Sequence, residues 1–345
     1  MSDNQKNIQW GIMGTGWIAE KFAGDLKYAD NGELAACGSR TEESAAKFGE
    51  RFSIPRTYGS YEELVQAPDL DAIYVATPHP VHKDNVLQAL RAGKAVLCEK
   101  PFTVNSGELS ELIDYARAHK LFLMEGMWTR FLPAIVQVRK WVSEGRIGEV
   151  LMVKAEFGFK AELDPEHRLF NKELGGGALL DAGIYPVSFA SMLLGSDPKN
   201  IYSTVHYCET GVDDQFSVLL EYEDGKSASL SGATRLNLTD EAVIYGTHGR
   251  IHVPGFLYAH EAVLHEADKD PEHFRHEREF SGYVYEAEEV GRCLAEGRTE
   301  SSVIPLEESL NIMKLMDTIR GQWGLKYPFE DDSQPQQALA ENNQA

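Results

Sequence analysis

The feature that most constrains the fold of this chain is an apolar segment that runs directly into a glycine-bearing turn. Residues 7–14 form a predicted buried strand, and Gly14-Thr15-Gly16-Trp17-Ile18-Ala19 then opens a helical pattern. The dinucleotide-binding fingerprint requires this order of strand, glycine turn and helix, and accepts alanine at its third small position. Gly14 would make the tight turn, and Gly16 would admit a pyrophosphate to the free amides of the helix N-terminus, beside Trp17 and Ile18. We therefore predict an N-terminal α/β Rossmann domain that binds a dinucleotide.

The residues after the second predicted strand indicate which dinucleotide is bound. That strand spans residues 33–38 and ends at Ser39-Arg40-Thr41, where an NAD enzyme usually carries an acid for the ribose 2′-hydroxyl. A hydroxyl and a guanidinium suit a 2′-phosphate instead. Arg40 could also be a solvated residue at the start of a helix. The predicted cofactor is NADP, with NAD less favoured.

Two further predicted strands end in loops that carry polar side chains. Residues 71–76 are followed by Thr77-Pro78-His79-Pro80-Val81-His82, and residues 93–98 are followed by Glu99-Lys100-Pro101. Because ligands bind at the carboxyl ends of strands in such sheets, we expect these loops to line the cofactor crevice. The predicted lining residues are Thr77, Pro78, His79, His82, Glu99 and Lys100. His79 and His82 have no nearby carboxylate or thiol to complete a ligand set, so a helix cap or a cofactor contact is expected there and no metal.

Beyond residue 126 the pattern changes to strands that follow one another directly. A predicted helix over residues 134–145 precedes several segments with strand alternation, separated by turn signals such as Glu223-Asp224-Gly225. This pattern predicts an α+β domain on a large, mainly antiparallel open sheet, followed by amphipathic helices over residues 283–296 and 305–323. Helices on one face would leave the other face to solvent or to a second subunit. The predicted division is residues 1–126, residues 127–329 and a disordered tail over residues 330–345.

Composition excludes several classes of partner. A formal net charge of −21 argues against nucleic acid, since phosphate binding needs clustered cations. No window holds eighteen uninterrupted apolar residues, and the N-terminus lacks an apolar signal core, so we expect a cytoplasmic protein with no membrane association. The four cysteines are far apart, without pairing or ligand spacing, and are predicted to be free thiols.

A run of three glycines precedes a second set of candidate residues. In Gly175-Gly176-Gly177-Ala178-Leu179-Leu180-Asp181-Ala182-Gly183-Ile184-Tyr185-Pro186, an acid and a phenol stand four residues apart and share one face if the segment is helical. The glycines would let the backbone approach a flat ligand closely. Pro186 predicts a helix that begins irregularly or kinks. Taken alone, the segment could also be a capped core helix with a half-buried tyrosine.

These three motifs together resemble the Gfo/Idh/MocA family. They are Gly14-Thr15-Gly16-Trp17-Ile18-Ala19, Glu99-Lys100-Pro101 and the glycine run leading to Asp181. Many members carry histidine four residues after the aspartate, and Tyr185 stands there in this chain. This departure is similar to the branch of dimeric dihydrodiol dehydrogenases, NADP-dependent xylose dehydrogenases and glucose–fructose oxidoreductase, as is Met124-Glu125-Gly126-Met127-Trp128-Thr129-Arg130-Phe131.

The resemblance implies an NADP-dependent oxidoreductase in which Lys100, Asp181 and Tyr185 are catalytic. Trp128 and Arg130 would border the cofactor, and Trp128 and Phe157 would also contact the substrate, an aldose sugar or an aromatic trans-dihydrodiol. A free tyrosine has a pKa near 10, so we expect the Lys100 ammonium to favour the Tyr185 phenolate and to bring its pKa toward the working range. A homodimer or homotetramer through the C-terminal sheet is expected. The alternative is a catalytically silent NADP-binding regulatory or scaffold protein.

Overall fold

The computed structural model describes residues 7–330, and its N-terminal part is built on a parallel sheet. Five helices accompany the strands in this part of the chain. The strands are β1 (Ile8–Met13), β2 (Gly32–Gly38), β3 (Arg56–Tyr58), β4 (Ala72–Val75), β5 (Ala95–Glu99) and β6 (Leu123–Gly126). The helices are α1 (Trp17–Leu26), α2 (Glu42–Phe52), α3 (Tyr61–Gln66), α4 (His82–Arg91) and α5 (Ser106–His119). The strand order β3-β2-β1-β4-β5-β6 is that of a doubly wound dinucleotide-binding fold, which confirms the predicted Rossmann domain.

The sequence gives no prediction for β3, α2 or α3, which are short or rich in polar residues. Both helices nevertheless have clear N-caps, because the side chain of Thr41 accepts a bond from the backbone N–H of Ser44 and that of Ser60 accepts one from Glu63. Gly14 adopts a φ of +105° at the end of β1. A side chain there would lie 2.8 Å from the carbonyl oxygen of Ala76, so the turn between β1 and α1 requires glycine, as predicted.

The second part of the chain forms an eight-stranded sheet. After α6 (Pro133–Ser143) come β7 (Val150–Gly158), α7 (Ile184–Leu194), β8 (Asn200–Tyr207), β9 (Asp213–Glu221), β10 (Ser227–Ala233), β11 (Glu241–Gly246), β12 (Gly249–Pro254), β13 (Glu261–Glu266) and β14 (Glu272–Arg275). Their order is β14-β13-β12-β11-β7-β10-β9-β8. Strands β7 and β10 pair in parallel and the other neighbouring pairs are antiparallel, which confirms the mainly antiparallel sheet.

Side chains alternate between the two faces of this sheet. In β9, Phe216, Val218 and Leu220 are buried on the inner face, whereas Leu219 is 47% exposed on the outer face. Helix α7 packs on the inner face against β7 and β10. The helical run from Lys172 to Leu194 has the length and hydropathy of a membrane span, but 83% of its most apolar window is buried inside the protein, as in a core helix.

The two C-terminal helices return to the parallel sheet. They are α8 (Val284–Ala295) and α9 (Leu306–Trp323). Leu306, Leu310 and Met313 of α9 join the apolar core of the first domain, because the apolar face of α9 packs on α5 and β6. Helix α9 also packs on α7 and β8, so it contacts both parts of the chain, and the predicted division between residues 126 and 127 stays a prediction.

Glu330 is ordered, whereas the sequence predicted it to be the first residue of a disordered tail. It ends a 3-10 turn, Pro328–Glu330, and its carboxylate accepts bonds from the guanidinium of Arg320 at 2.9 Å. The remainder of the predicted tail, residues 331–345, lies outside the described residues. All four cysteines are buried free thiols, as predicted.

Candidate active site

The N-terminus of α1 offers unfilled hydrogen-bond donors at the carboxyl edge of the parallel sheet. No side chain caps this helix, and no atom lies within 4 Å of the position that a side chain on Gly16 would occupy. Trp17 is 60% exposed beside it. Free amides facing open space suit a pyrophosphate, so the residues present fit the predicted dinucleotide.

The end of β2 supplies polar groups at the same edge. The hydroxyl oxygens of Ser39 and Thr15 lie 3.3 Å apart. Arg40 is exposed, and its guanidinium forms no ion pair within residues 7–330. An unpaired cation next to a hydroxyl is chemically suited to a phosphate group.

The loop after β4 contains both predicted histidines, and they differ in role. The ring of His82 is fully buried, with Nε2 2.7 Å from the carbonyl oxygen of Thr77 and Nδ1 2.9 Å from that of Pro101. His82 therefore lies between this loop and the one after β5, and its ring can donate to one of the two carbonyl oxygens; its predicted cofactor contact stays a prediction. The hydroxyl of Thr77 likewise accepts a bond from Asn85 at 2.8 Å, while Pro78 is exposed at the mouth of the crevice.

His79 faces the candidate catalytic cluster. Burial and the nearby Arg168 guanidinium hold the pKa of His79 well below its usual value, so its ring is neutral. It lies against the glycine run, since a side chain on Gly175 would be 3.6 Å from the His79 Cβ atom.

Lys100, Asp181 and Tyr185 converge although they lie on separate parts of the chain. The Lys100 ammonium donates to the main-chain carbonyl oxygen of Asp181 at 2.8 Å and lies 3.7 Å from the Asp181 Oδ1 atom. The same nitrogen is 4.6 Å from the centre of the Tyr185 ring. The structure thus brings together the three residues that the sequence groups as catalytic.

Arg168 completes this cluster and is missed by the sequence reasoning. Its guanidinium donates to the Asp181 Oδ1 atom at 2.8 Å. Arg168 belongs to an irregular segment ahead of the glycine run, and no periodicity or spacing links it to the aspartate. The contact depends on the path of that segment in space.

The pKa values of the cluster follow from burial and from its two cations. Burial would raise the pKa of Asp181, but Lys100 and Arg168 outweigh it and hold that pKa well below its usual value. Burial would lower the pKa of Lys100, yet the neighbouring Tyr185, Asp181 and Glu99 raise it, so the lysine is an ammonium.

Tyr185 behaves differently from the prediction. Burial raises its pKa to about 12 despite the opposing effect of Lys100. The expectation that Lys100 brings this pKa toward the working range is not met here, because desolvation of the phenolate is the larger effect. Tyr185 is therefore a neutral phenol at neutral pH, and holds a proton that it can donate.

The glycine run and Pro186 determine how Asp181 and Tyr185 are presented. Leu179–Gly183 is a π-helical turn that leads into α7, in line with the irregular helix start that Pro186 predicts. The backbone N–H of Leu179 donates to Asp213 Oδ2 at 2.6 Å, which fixes the start of this turn to β9.

The packing of the protein itself requires glycine at two positions of this run. A side chain on Gly176 would lie 2.7 Å from the carbonyl oxygen of Arg168, and one on Gly177 would lie 2.2 Å from Asp213 Oδ1. The chain's own backbone and Asp213 therefore occupy the space on the Cβ side of Gly176 and Gly177, and the close approach of a flat ligand to this run stays a prediction.

Aromatic side chains enclose the Tyr185 hydroxyl. The indole N–H of Trp128 donates to it at 3.3 Å, and Phe157 meets the Tyr185 ring edge to face at 5.8 Å. Trp128 in turn packs on Tyr258 and Tyr283, with ring centres 4.9 and 4.8 Å away. Trp128 and Phe157 are predicted from the sequence; the two tyrosines are not, because nothing local distinguishes them from core aromatics.

Arg130 and Glu99, two further predicted cofactor ligands, have hydrogen-bond partners within the protein. The guanidinium of buried Arg130 donates to Ser188 Oγ at 2.9 Å, to the Ser188 carbonyl oxygen at 2.7 Å and to Glu308 at 2.7 Å. Glu99 is buried, accepts a bond from the Tyr74 hydroxyl and accepts the backbone N–H of Lys100 at 3.2 Å. Burial raises the pKa of Glu99 to about 7. These contacts make Arg130 a link between α7 and α9, and Glu99 a support for the Lys100 backbone.

Comparison with known proteins gives matches along most of the chain. Residues 8–127 match the profile of an oxidoreductase family with an NAD-binding Rossmann fold, and residues 135–252 match the GFO/IDH/MocA C-terminal domain. A trans-1,2-dihydrobenzene-1,2-diol dehydrogenase of Xenopus laevis is 41% identical over 329 residues, which cover 93% of this chain and 99% of the relative. The Homo sapiens protein of that name is 37% identical, with 93% and 98% covered.

Solved structures have the same architecture. A 3-ketoreductase from Actinomadura kijaniata, in complex with NADP and TDP-benzene, is 28% identical with a TM-score of 0.80, covering 92% of this chain and 98% of its own. An aldose-aldose oxidoreductase from Caulobacter crescentus, complexed with glycerol, is 24% identical with a TM-score of 0.84, covering 93% and 99%. At that identity the second likeness speaks for the fold alone.

Proposed function

This chain belongs to the Gfo/Idh/MocA family of NAD-binding oxidoreductases, and from that premise we propose that it transfers hydride between NADP and a hydroxyl-bearing carbon of a trans-dihydrodiol or an aldose. Membership makes it a nicotinamide-dependent dehydrogenase or reductase, rather than the silent regulatory or scaffold protein considered as the alternative. The observation that carries the proposal is the convergence of Lys100, Asp181 and Tyr185 beside a ring of aromatic side chains.

The nicotinamide cofactor, when bound, supplies or accepts the hydride. Tyr185 would donate a proton to a substrate carbonyl oxygen in reduction and accept one in oxidation. Because its oxygen already accepts the Trp128 indole N–H, its own proton is directed elsewhere and remains available. Lys100 would stabilise negative charge on the phenolate and on the substrate oxygen, since its ammonium lies over the Tyr185 ring.

The pKa of Tyr185 gives the proposed acid and base roles different pH dependences. Below its pKa of about 12 the phenol is the abundant form, so reduction is expected to vary little with pH. Oxidation needs the phenolate, so kcat/KM for oxidation should rise by about tenfold per pH unit across the alkaline range. A plateau in that profile below pH 9 would contradict the assignment of Tyr185 as the base.

The aromatic enclosure supports a substrate with a flat apolar face and adjacent hydroxyls. Trp128, Phe157 and Tyr283 would cover that face, while Asp181 would accept a bond from a hydroxyl. A trans-dihydrodiol meets both conditions, and the relatives that are 37–41% identical are named for such a substrate. An aldose also has adjacent hydroxyls and an apolar ring face.

NADP is the cofactor that we propose, on the basis of Ser39 and of Arg40, whose guanidinium forms no ion pair with any residue that the structure describes. The experiment is to follow absorbance of the reduced cofactor with NADP and NAD over a panel of trans-dihydrodiols and aldoses. The Lys100→Met and Tyr185→Phe variants should bind NADP as the wild type does and lose turnover by about a hundredfold or more. Wild-type turnover in either variant would refute the proposed roles.

We also propose that the outer face of the eight-stranded sheet joins two or more copies of the chain. By the strand register, Tyr202, Leu219 and Met152 lie on this face, and they are 56%, 47% and 38% exposed. Sedimentation should give a dimer or tetramer for the wild type and a smaller species for Leu219→Arg. A monomeric wild type at micromolar concentration would contradict the proposal. The cytoplasmic location stays a prediction.

A further inference from the structure

Two cations compete for one oxygen of the candidate catalytic aspartate. Arg168 donates to Asp181 Oδ1 at 2.8 Å, which is the length of a charge-assisted hydrogen bond. Lys100 lies 3.7 Å from the same atom, beyond hydrogen-bond reach. Arg168 thus holds the close position on the carboxylate, and the ammonium is left with the aspartate's main-chain carbonyl.

Because Arg168 holds the carboxylate oxygen, the Lys100 ammonium has N–H donors that are not used within the site. An ammonium has three N–H donors, and the bond to the Asp181 carbonyl oxygen is its one side-chain hydrogen bond within residues 7–330. The nitrogen stays over the Tyr185 ring, 4.6 Å from its centre. A close ion pair with the carboxylate would draw the ammonium toward Asp181 and use a further donor.

Arg168 reaches the Asp181 carboxylate although its own side chain is partly exposed to solvent. Its side chain is 47% exposed, against 11% for Lys100 and 9% for Asp181. Its backbone is fixed to the glycine run, because the carbonyl oxygen of the following residue, Leu169, accepts the N–H of Gly177 at 3.0 Å. Arg168 therefore reaches the carboxylate from the solvent side, and Lys100 reaches it from the protein side.

We propose that Arg168 is a positioning residue. Its hydrogen bond to the Asp181 carboxylate keeps the Lys100 ammonium over the Tyr185 ring, with N–H donors of the ammonium left free. Without the guanidinium, Lys100 is the nearest cation to the carboxylate and closes onto it. This inference rests on the proposed function for its kinetic consequences, but its geometric consequence is independent of any substrate.

The test compares Arg168→Met with Arg168→Lys, using Arg235→Met as the matched control. Arg235 is also partly exposed, at 37%, and lies 3.7 Å from an aspartate, Asp214, but Asp214 pairs with His206 rather than with Lys100. Displacement of a reacting group by about 1 Å can cost about a hundredfold in rate, so we expect Arg168→Met to lower kcat by that order with a smaller change in KM. Arg168→Lys should recover part of the loss, and the control should match the wild type.

Two measurements separate positioning from a merely structural role. In an Asp181→Asn background, Arg168→Met should have little further effect on kcat, since the carboxylate that it positions is gone. In a crystal structure of Arg168→Met, the distance from Lys100 Nζ to Asp181 Oδ1 should shorten from 3.7 Å to hydrogen-bond length. Unchanged NADP affinity and unfolding temperature would establish that the variants fold.

The inference is overturned if Arg168→Met keeps the wild-type kcat and pH profile, if its full effect persists beside Asp181→Asn, or if Lys100 stays at its wild-type distance. Failure of the proposed function gives a different pattern, namely a wild type without turnover on the whole panel. In that case the crystallographic distance still decides whether Arg168 controls the position of Lys100.

Discussion

Replacing Gly177 by alanine is expected to destabilise the fold strongly and to disturb the turn that presents Asp181 and Tyr185. Gly177 adopts a φ of +132°, a conformation that a residue with a side chain rarely adopts. The added methyl group would lie 2.2 Å from Asp213 Oδ1 and 3.2 Å from its Cγ atom. Because Asp213 is fully buried, it can move only by giving up the bond that its Oδ2 atom accepts from Leu179.

The magnitude is the sum of two effects. Holding a non-glycine residue in a rare backbone conformation costs about 1–3 kcal/mol. Leaving a buried polar group without its hydrogen bond costs about a further 1–3 kcal/mol. The free energy of unfolding should therefore fall by about 2–6 kcal/mol, a large part of the total of about 5–15 kcal/mol that is typical of a folded protein.

Gly211→Ala provides the matched control. Gly211 also has a positive φ, +79°, but no atom lies within 4 Å of the position of its added Cβ. It should therefore show only the backbone cost of about 1–2 kcal/mol. The assay is urea unfolding of both variants without cofactor. A Gly177→Ala/Asp213→Ala double variant should be no less stable than Gly177→Ala, because the clash and the bond involve the same carboxylate. Equal unfolding midpoints for Gly177→Ala and Gly211→Ala would refute the reasoning.

Three further predictions concern the cofactor crevice and a buried acid. Gly16→Ala should lower the unfolding temperature of the free protein only slightly, since the added methyl meets no atom and the cost is that of a poorer N-cap, and should weaken NADP binding by about 1–3 kcal/mol in a fluorescence titration. Arg40→Asp should lower NADP affinity by about 1.5–3 kcal/mol and spare NAD; an unchanged NADP affinity would indicate a solvated arginine, and equal losses for both cofactors would contradict its role in choosing between them. Glu286 is fully buried without a partner for either carboxylate oxygen in the described structure, and burial and the nearby Glu99 raise its pKa well above 4.5. The folded state then keeps a proton that the unfolded state has lost, so stability should fall by up to about 1.4 kcal/mol per pH unit above pH 4.5. Glu286→Gln should flatten this slope in urea unfolding at pH 6, 7 and 8, and an unchanged slope would contradict the assignment.

Much of the fold can be predicted because it depends on local patterns of apolar, glycine and proline residues. The buried strands β1, β4 and β5 are apolar apart from Gln9 and the final Glu99, and Gly14 marks the turn after the first of them. The rule that ligands bind at the carboxyl edge then places Lys100 at the crevice without any knowledge of packing. Pro186 likewise predicts an irregular helix start, because its missing N–H is a property of the residue itself.

Other features depend on which distant segments meet. Arg168, Tyr258 and Tyr283 reach the site from segments that have no sequence relation to Tyr185. Predicted cofactor ligands such as His82 and Arg130 prove to be engaged by backbone carbonyls and buried side chains. Residue type indicates what a side chain can bind, but the path of the chain decides which partner is within reach.

The sequence by itself determined the dinucleotide fold and the family, because these rest on residue identity and short spacings, and the resemblance to that family grouped the lysine with the aspartate and the tyrosine. Only the tertiary structure decided how those groups are charged and held. Burial raises the pKa of Tyr185 to about 12, which stabilises the neutral phenol further, and the guanidinium of Arg168 is hydrogen-bonded to Asp181 Oδ1. Desolvation and through-space charge depend on the three-dimensional surroundings of each group, and these surroundings exist only after the chain has folded.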